Sequence, residues 1–204
     1  MSNGTSTSQY INAVRMNNFN QADGIIVTEH PLPNTLSQAW RLMYEKNVFA
    51  WVILDTQPEN EDTLKLYPPL LSEGESLQFE HLHIRSEDTV QYEDFRKIRV
   101  TLALRRSTAS PTHIMYIYYL NGWPNNSDIP IDNIALIKLL DHIHHCNPSA
   151  NQPIVFTCSD GVKACGVAAT LENVLQRIQL QGEVDIYTAV QRILSARPQF
   201  ITSW

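Results

Sequence analysis

The feature that most constrains the fold of this chain is the segment from Val155 to Gly166, VFTCSDGVKACG. A short apolar run leads to Cys158 in a loop that contains Gly161, and a helical pattern begins directly after it. Backbone N–H groups at the start of a helix bind anions, and a cysteine in such a loop can act as a thiolate nucleophile. The alternative is an ordinary strand–loop–helix turn that contains a cysteine, and the segment alone favours neither interpretation.

Length, composition and charge indicate one globular domain. The chain has 204 residues, 43% of them hydrophobic, which is enough for one substantial core. Its net charge of −6 at pH 7 argues against nucleic-acid binding, which requires a basic surface. No apolar run approaches the roughly 18 residues of a membrane span, so we expect no membrane contact by this segment. Residues 1–9 are interpreted as a polar lead-in and residues 10–204 as the domain.

The cysteines indicate free thiols in a reducing compartment, because Cys146, Cys158 and Cys165 form neither a CxxC pair nor an even set. Cys146 ends the segment DHIHHC, where a helix would bring His142 near His145 and Cys146. Zinc binding is one interpretation of this segment. We favour a polar helix end, where histidines suit the negative helix terminus, and therefore predict no metal and no cofactor.

The pattern of apolar residues predicts an α/β fold with a mixed, twisted sheet flanked by helices. In LQFEHLHI the alternation of apolar residues is imperfect. Leu77 and Phe79 would lie on one face of a strand, and Leu82 and Ile84 on the other. We expect Trp40, Trp51 and Trp123 in the core or at a loop hinge, while Phe200, Ile201 and Trp204 have no evident partner segment. The strands are predicted at 24–28, 48–55, 96–104, 113–120 and 153–157, and the helices at 34–47, 132–146, 163–182 and 183–198.

The segment from Pro153 to Pro198 resembles the signature region of protein tyrosine phosphatases, whose loop reads His-Cys-x-x-Gly-x-x-Arg-Ser/Thr-Gly. Four further segments resemble landmarks of that family and follow in family order. They are QYINAV at 9–14, the helix and strand within 25–55, LYPPL at 66–70, and NGWPNNSDIP at 121–130. The resemblance implies a twisted mixed sheet flanked by helices. It also implies that the domain is truncated at both ends.

The resemblance assigns a role to each loop position and identifies two losses. Cys158 stands at the nucleophile position. Ala164 stands where the family has its phosphate-binding arginine, and Asn125 where it has its general-acid aspartate. Thr157 stands where the family has histidine. The other phosphate-loop positions are Ser159, Asp160, Gly161, Val162, Lys163, Cys165 and Gly166.

Each loss removes a physical contribution to catalysis. An arginine makes bidentate bonds to phosphate, and losing a contact of this type reduces the rate on the order of 10³-fold. Asn125 cannot donate a proton as an acid does, which removes about 10²–10⁴-fold. Lys163 lacks the planar fork of arginine, and the carboxylate of Asp160 would repel a dianion. Asp128 is the one candidate for a substitute acid. We therefore expect a degenerate site without effective catalysis.

These expectations favour an inactive phosphatase-like domain that regulates or binds other proteins, similar to the membrane-distal second domain of receptor tyrosine phosphatases. Its partner would be another protein or a neighbouring phosphatase domain. Its location would be cytoplasmic, as the intracellular part of a membrane-anchored receptor. Two alternatives remain open: a weak or redirected phosphatase that uses Cys158, and a phosphotyrosine-binding pseudoenzyme with weak phosphopeptide binding.

Overall fold

The computed structural model describes residues 11–55, 71, 74–79, 81–105, 111–124, 127, 129–147 and 151–201. Within these residues, one eight-stranded mixed sheet is flanked by α-helices, which confirms the predicted fold class. The strands are β1 Ala13–Met16, β2 Ile25–Glu29, β3 Ala50–Ile53, β4 Ser76–Gln78, β5 Leu82–Gln91, β6 Phe95–Leu104, β7 His113–Leu120 and β8 Ile154–Cys158. The helices are α1 Leu36–Glu45, α2 Asn133–Cys146, α3 Lys163–Gln181, α4 Ile186–Ala196 and a 3-10 helix at Pro198–Phe200.

The order of strands places β8 inside the parallel part of the sheet, between β2 and β3. The order is β1-β2-β8-β3-β7-β6-β5-β4, in which β2, β8, β3 and β7 are parallel neighbours and the outer strands pair antiparallel. Parallel strands buried on both faces are continuous apolar runs, as IVFTC of β8 is. Ligands of such sheets bind beyond the carboxyl ends of the strands, so the end of β8 is where a site is expected.

The two faces of β8 pack against different helices. Phe156 belongs to the core cluster that contains buried residues of α2, α3 and α4. Val155, on the opposite face, packs in the second cluster with Trp40 of α1. Because both faces are covered by apolar side chains, β8 holds the loop that follows it on a rigid base.

The imperfect alternation in LQFEHLHI has a structural reason. The chain turns between β4 and β5, which pair antiparallel with Leu77 opposite Ile84. Directly opposed residues on antiparallel strands share a face of the sheet. The apolar positions therefore change from odd to even because the chain forms a hairpin there. Leu77 and Ile84 both pack in the same core cluster.

The predicted core aromatics are buried, and the C-terminal segment has a packing partner that the sequence did not reveal. Trp40, Trp51 and Trp123 are fully buried as expected. Phe200, for which the sequence showed no partner, is also buried and packs against Gly166 of α3. The 3-10 helix turns the chain back onto α3, and periodicity within one segment cannot reveal such a contact.

Several predicted features lie outside the described residues. They are the lead-in at 1–9, the LYPPL landmark, the general-acid position Asn125, the substitute acid Asp128, and Trp204. Among the helices that the structure does describe, none is both long and apolar enough to cross a membrane.

Candidate functional site

The loop predicted from the sequence lies between the central strand and the longest helix. Cys158 is the last residue of β8 and is only 2% exposed. Its carbonyl oxygen accepts hydrogen bonds from the N–H of His30 at 3.0 Å and of Gly161 at 3.2 Å. Lys163 begins α3, so residues 159–162 form a short connection at the carboxyl edge of the sheet. The structure thus brings all predicted loop positions together.

The carboxylate of Asp160 is bound by this loop. Its Oδ1 accepts hydrogen bonds from the N–H of Val162 at 2.8 Å, the N–H of Lys163 at 3.2 Å and the thiol of Cys158 at 3.2 Å. N–H groups at a helix start have no partner within the helix and favour negative charge. Asp160 therefore supplies, from within the chain, the anion that such a helix end attracts.

Hydrogen bonding keeps Asp160 ionised. Desolvation raises the pKa of this carboxyl, but bonds from Val162, Cys158 and Lys163 and the charge of Lys163 lower it by more. The net pKa is below its ordinary value. A carboxyl with several donors on its charged form behaves in this way.

The two positions after Lys163 contribute no charge to the loop. Ala164 is 4% exposed, and its methyl group packs in the core cluster of α2, α3 and α4. Cys165 is fully buried, and burial, followed by the neighbouring thiol of Cys158, raises its pKa well above the ordinary value. Arg197 reaches the loop from beyond α4, but its Nη1 donates to the backbone oxygen of Gly161 at 3.3 Å.

A second carboxylate, Asp55, faces the loop and was not identified from the sequence. Its Oδ2 accepts a hydrogen bond from the N–H of Ser159. Burial raises the pKa of Asp55 to about 6, the bond from Ser159 opposes this shift, and the charge of Asp160 adds to it. Asp55 lies two residues beyond β3, which is beside β8, so an acidic residue at the end of a buried apolar run was the available signal.

Thr157, at the position of the family's histidine, supports the core instead of the loop. Its Oγ1 accepts a hydrogen bond from Nε1 of Trp51 at 2.8 Å, and both residues are buried. Trp51 also contacts Trp40 edge-on, with ring centroids 5.2 Å apart. Because a buried indole N–H needs an acceptor, Thr157 satisfies a packing requirement of the sheet.

Packing also accounts for both loop glycines. Gly161 has φ +62, and a Cβ there would lie 2.6 Å from the backbone nitrogen of Glu29. A Cβ at Gly166 would lie 2.5 Å from the carbonyl oxygen of Phe200. Real Cβ atoms do not approach other atoms so closely, so neither glycine by itself is evidence of phosphate binding.

The segment expected to carry the general acid is described in part. Trp123 is buried, and its Nε1 donates to the carbonyl oxygen of Ser127 at 3.1 Å. Asp132 then begins α2, since its side chain accepts a hydrogen bond from the N–H of Ile134. Trp123 and Asp132, on either side of position 125, are therefore each fixed by a hydrogen bond.

The DHIHHC segment ends α2, and its histidines have different partners. Nε2 of His144 lies 2.9 Å from both carboxylate oxygens of buried Glu172 on α3, while His145 lies beside Asp141. His142 lies 3.5 Å from Cys146 through its Nε2. In the part of the chain that the structure describes, no three His, Cys, Asp or Glu side chains converge as metal ligands would.

Comparisons with known proteins agree with this geometry. A family model described as protein-tyrosine phosphatase matches residues 1–204. Receptor-type tyrosine-protein phosphatase epsilon of Rattus norvegicus is 26% identical over 97% of this chain and 28% of its own length. Receptor-type tyrosine-protein phosphatase F of Homo sapiens is 28% identical over 95% of this chain and 10% of its own length. The chain therefore spans less than a third of these relatives.

A solved structure shares the fold at low sequence identity. It is described as "Structural basis of PTPN18 fingerprint on distinct HER2 tyrosine phosphorylation sites". The TM-score is 0.80 at 21% identity, over 93% of this chain and 67% of the other. Together, the central β8, the cysteine loop at its carboxyl end and the match over the whole length identify the family. The chain belongs to the protein-tyrosine phosphatase family.

Proposed function

We propose that this chain is a catalytically inactive tyrosine-phosphatase-like domain that acts as a regulatory or protein-interaction module in tyrosine-phosphorylation signalling. One observation carries the proposal: the carboxylate of Asp160 already accepts the N–H groups at the start of α3. A substrate phosphate would have to compete with a covalently attached anion for the same donors. The attached anion has the advantage, because it loses no translational freedom when it binds.

The charges around the loop oppose a dianion. Two unit charges 4 Å apart interact by about 4 kcal/mol at an effective dielectric constant of 20. Asp160 is ionised, and Asp55, with a pKa of about 6, is largely ionised at neutral pH. At the arginine position, the methyl group of Ala164 offers neither charge nor a hydrogen bond in compensation. We therefore expect this domain to bind phosphate weakly.

The environment of Cys158 also supports the proposal. Its thiol donates to Asp160, so the sulfur is engaged by a carboxylate of the same loop. A nucleophilic cysteine instead requires a positively charged environment, which stabilises its thiolate. Its sulfur must also be able to contact the substrate atom that it attacks.

A domain without chemistry acts through its surface. Ile129 and Ile131, which precede α2, and Ile134, in its first turn, are 62%, 79% and 59% exposed. Neighbouring apolar side chains of this size on a surface are typical of a protein contact. The partner we propose is another protein or an adjoining phosphatase domain. We propose a cytoplasmic location within a receptor-type protein, because the relatives bear receptor-type names.

The first test is turnover of an aryl phosphate by the 204-residue chain and by its Cys158→Ser variant, with an active tyrosine phosphatase domain as the positive control. We expect equal rates for the two chains, because the arginine and acid positions carry Ala164 and Asn125. A rate that depends on Cys158 would overturn inactivity and support a weak or redirected phosphatase.

The second test measures vanadate binding by calorimetry. Asp160→Ala should bind vanadate where the parent does not, because it frees the N–H groups of Val162 and Lys163. Adding Ala164→Arg should strengthen binding by a further factor of about ten or more, through bidentate bonds. Asp88→Ala removes an exposed acid and changes the net charge equally, so it serves as the matched control. Vanadate affinity in the parent equal to that of Asp160→Ala would show that the carboxylate does not occupy the site.

A further inference from the structure

A polar cluster surrounds Cys146 at the end of α2, away from the cysteine loop. Its Sγ lies 3.6 Å from Nζ of Lys97 on β6 and 3.5 Å from Nε2 of His142. The Lys97 and His142 nitrogens are themselves 3.4 Å apart. Cys146 is partly exposed, whereas Cys158 and Cys165 are buried. Cys146 is thus the thiol of this chain that a reagent in solution can reach.

The neighbours of Cys146 suit a nucleophilic thiol. A lysine ammonium beside a cysteine stabilises the thiolate, which is the reactive form. Desolvation lowers the pKa of His142, and the charges of Lys97 and His145 lower it further against the opposing effect of Asp141. The imidazole is therefore neutral at neutral pH and can accept a proton through Nε2.

A buried hydroxyl beside the cluster has no hydrogen-bond partner among the described residues. This is the hydroxyl of Tyr118, a fully buried residue whose ring centroid lies 5.9 Å from that of His142 and 5.8 Å from Nζ of Lys97. Burial raises the pKa of Tyr118, and the neighbouring Cys146 raises it further, so the phenol keeps its proton. A buried hydroxyl normally has a hydrogen-bond partner, and where the protein supplies none, a ligand or another group can serve as that partner.

We propose that Cys146 is a modification site for soft carbon electrophiles of the α,β-unsaturated carbonyl class, activated by Lys97 and His142. In this reaction His142 takes the thiol proton, and Lys97 stabilises the thiolate. The sulfur then forms a bond to the β-carbon as the π bond of the alkene breaks to give an enolate. The α-carbon takes the proton back from His142, so the addition is complete without an oxidant or a leaving group. None of the cysteine-loop residues takes part.

The test is the rate of acrylamide addition at pH 7, followed residue by residue with peptide mass spectrometry on the intact 204-residue chain. The reference is Cys146 in the same chain unfolded in urea, corrected for the effect of urea on a free thiol. We expect addition in the folded chain to be about tenfold faster, because Nζ of Lys97 and Nε2 of His142 lie within 3.6 Å of the attacking sulfur. A folded rate at or below the unfolded rate would overturn the proposal.

Variants separate activation from exposure. Lys97→Met should lower the folded rate by about tenfold, while Lys97→Arg should retain most of it. Lys138→Met changes a different lysine, which lies on α2 and donates to Asp94 at 2.8 Å, and should leave the rate unchanged. If Lys97→Met fails to fold, as judged by circular dichroism, His142→Gln provides the same comparison. Equal rates for the parent, Lys97→Met and His142→Gln would contradict activation by the cluster.

Discussion

At the level of single residues, the two carboxylates of the loop differ in protonation although they lie close together. Asp160 accepts three hydrogen bonds, and these keep it ionised in spite of partial burial. Asp55 is more deeply buried and is hydrogen-bonded by Ser159, whose effect does not offset the loss of solvent, so its pKa rises to about 6. The number of donors relative to the loss of solvent decides which carboxylate holds its charge.

We predict that Asp55 makes stability depend on pH. Its folded pKa of about 6 exceeds the ordinary value of 3.8, so its favourable contribution is complete below pH 4 and is lost as pH rises through 6. Relative to Asp55→Asn, the parent should lose on the order of 1 to 3 kcal/mol between pH 4 and pH 7.

Urea denaturation of both chains across this range measures the difference. Asp88→Asn, an exposed substitution, should run parallel to the parent. A constant difference between the parent and Asp55→Asn at every pH would mean that Asp55 has an ordinary pKa in the folded chain.

At the level of elements, local signals located the four α-helices and five of the eight described strands, but they did not identify β1 or delimit β4 and β5. Long-range contacts could not be predicted from local patterns. Helix α3 was predicted at 163–182 and spans Lys163–Gln181, because Gly182 ends it in the left-handed conformation with φ +70. The turn between β4 and β5 was visible in the sequence, because the apolar residues change from odd-numbered positions before it to even-numbered positions after it. The contact between Gly166 and Phe200 depends on the path of the chain after α4, which no local pattern encodes.

This contact leads to a prediction for Gly166→Ala. Inside a helix, glycine to alanine alone stabilises by about 1 kcal/mol. Here the new Cβ would meet the carbonyl oxygen of Phe200 at 2.5 Å and its Cβ at 2.9 Å. We therefore expect a net loss of about 1 to 3 kcal/mol, as for overpacked cores.

Thermal unfolding compares Gly166→Ala with Gly182→Ala. At Gly182 no atom lies within 4 Å of the added Cβ, and the cost of about 1 kcal/mol comes from the left-handed backbone alone. Gly166→Ala should unfold at the lower temperature of the two. A rise in the unfolding temperature of Gly166→Ala would show that Phe200 is not held against α3.

At the level of the whole molecule, the family resemblance predicted the sheet and the cysteine loop, but not the hydrogen bonds that the loop residues make. The loop residues are contiguous, so a motif of ten residues was sufficient to find them. Asp55 lies 104 positions before Ser159 and reaches it only because β3 and β8 are neighbours in the sheet. The contact between Asp55 and Ser159 could therefore be predicted only once the order of the strands was known. The carboxylate of Asp160 was expected to repel a dianion, but the sequence did not show that it accepts hydrogen bonds from the backbone of its own loop.

The exposed isoleucines before and within α2 give a prediction about partners. Ile131→Glu with Ile134→Glu should remove the proteins that proximity labelling detects around the parent in cells, because carboxylates disrupt an apolar interface. Stability should change by less than about 0.5 kcal/mol, as for most exposed substitutions.

The matched control is Val184→Glu with Ile186→Glu, two residues of similar exposure just before α4 and at its first position. This control should keep the partners of the parent. Loss of the same partners in both double variants, or in neither, would place the interface elsewhere.

The bond between Asp160 and the start of α3 has a pharmacological consequence. Compounds with an acidic headgroup that imitates phosphate would meet a carboxylate that already accepts the helix N–H groups. Such compounds should spare this domain, so it can serve as a counter-screen in selectivity panels. A ligand designed for this domain needs the opposite polarity, with an amidine or amine directed at Asp160.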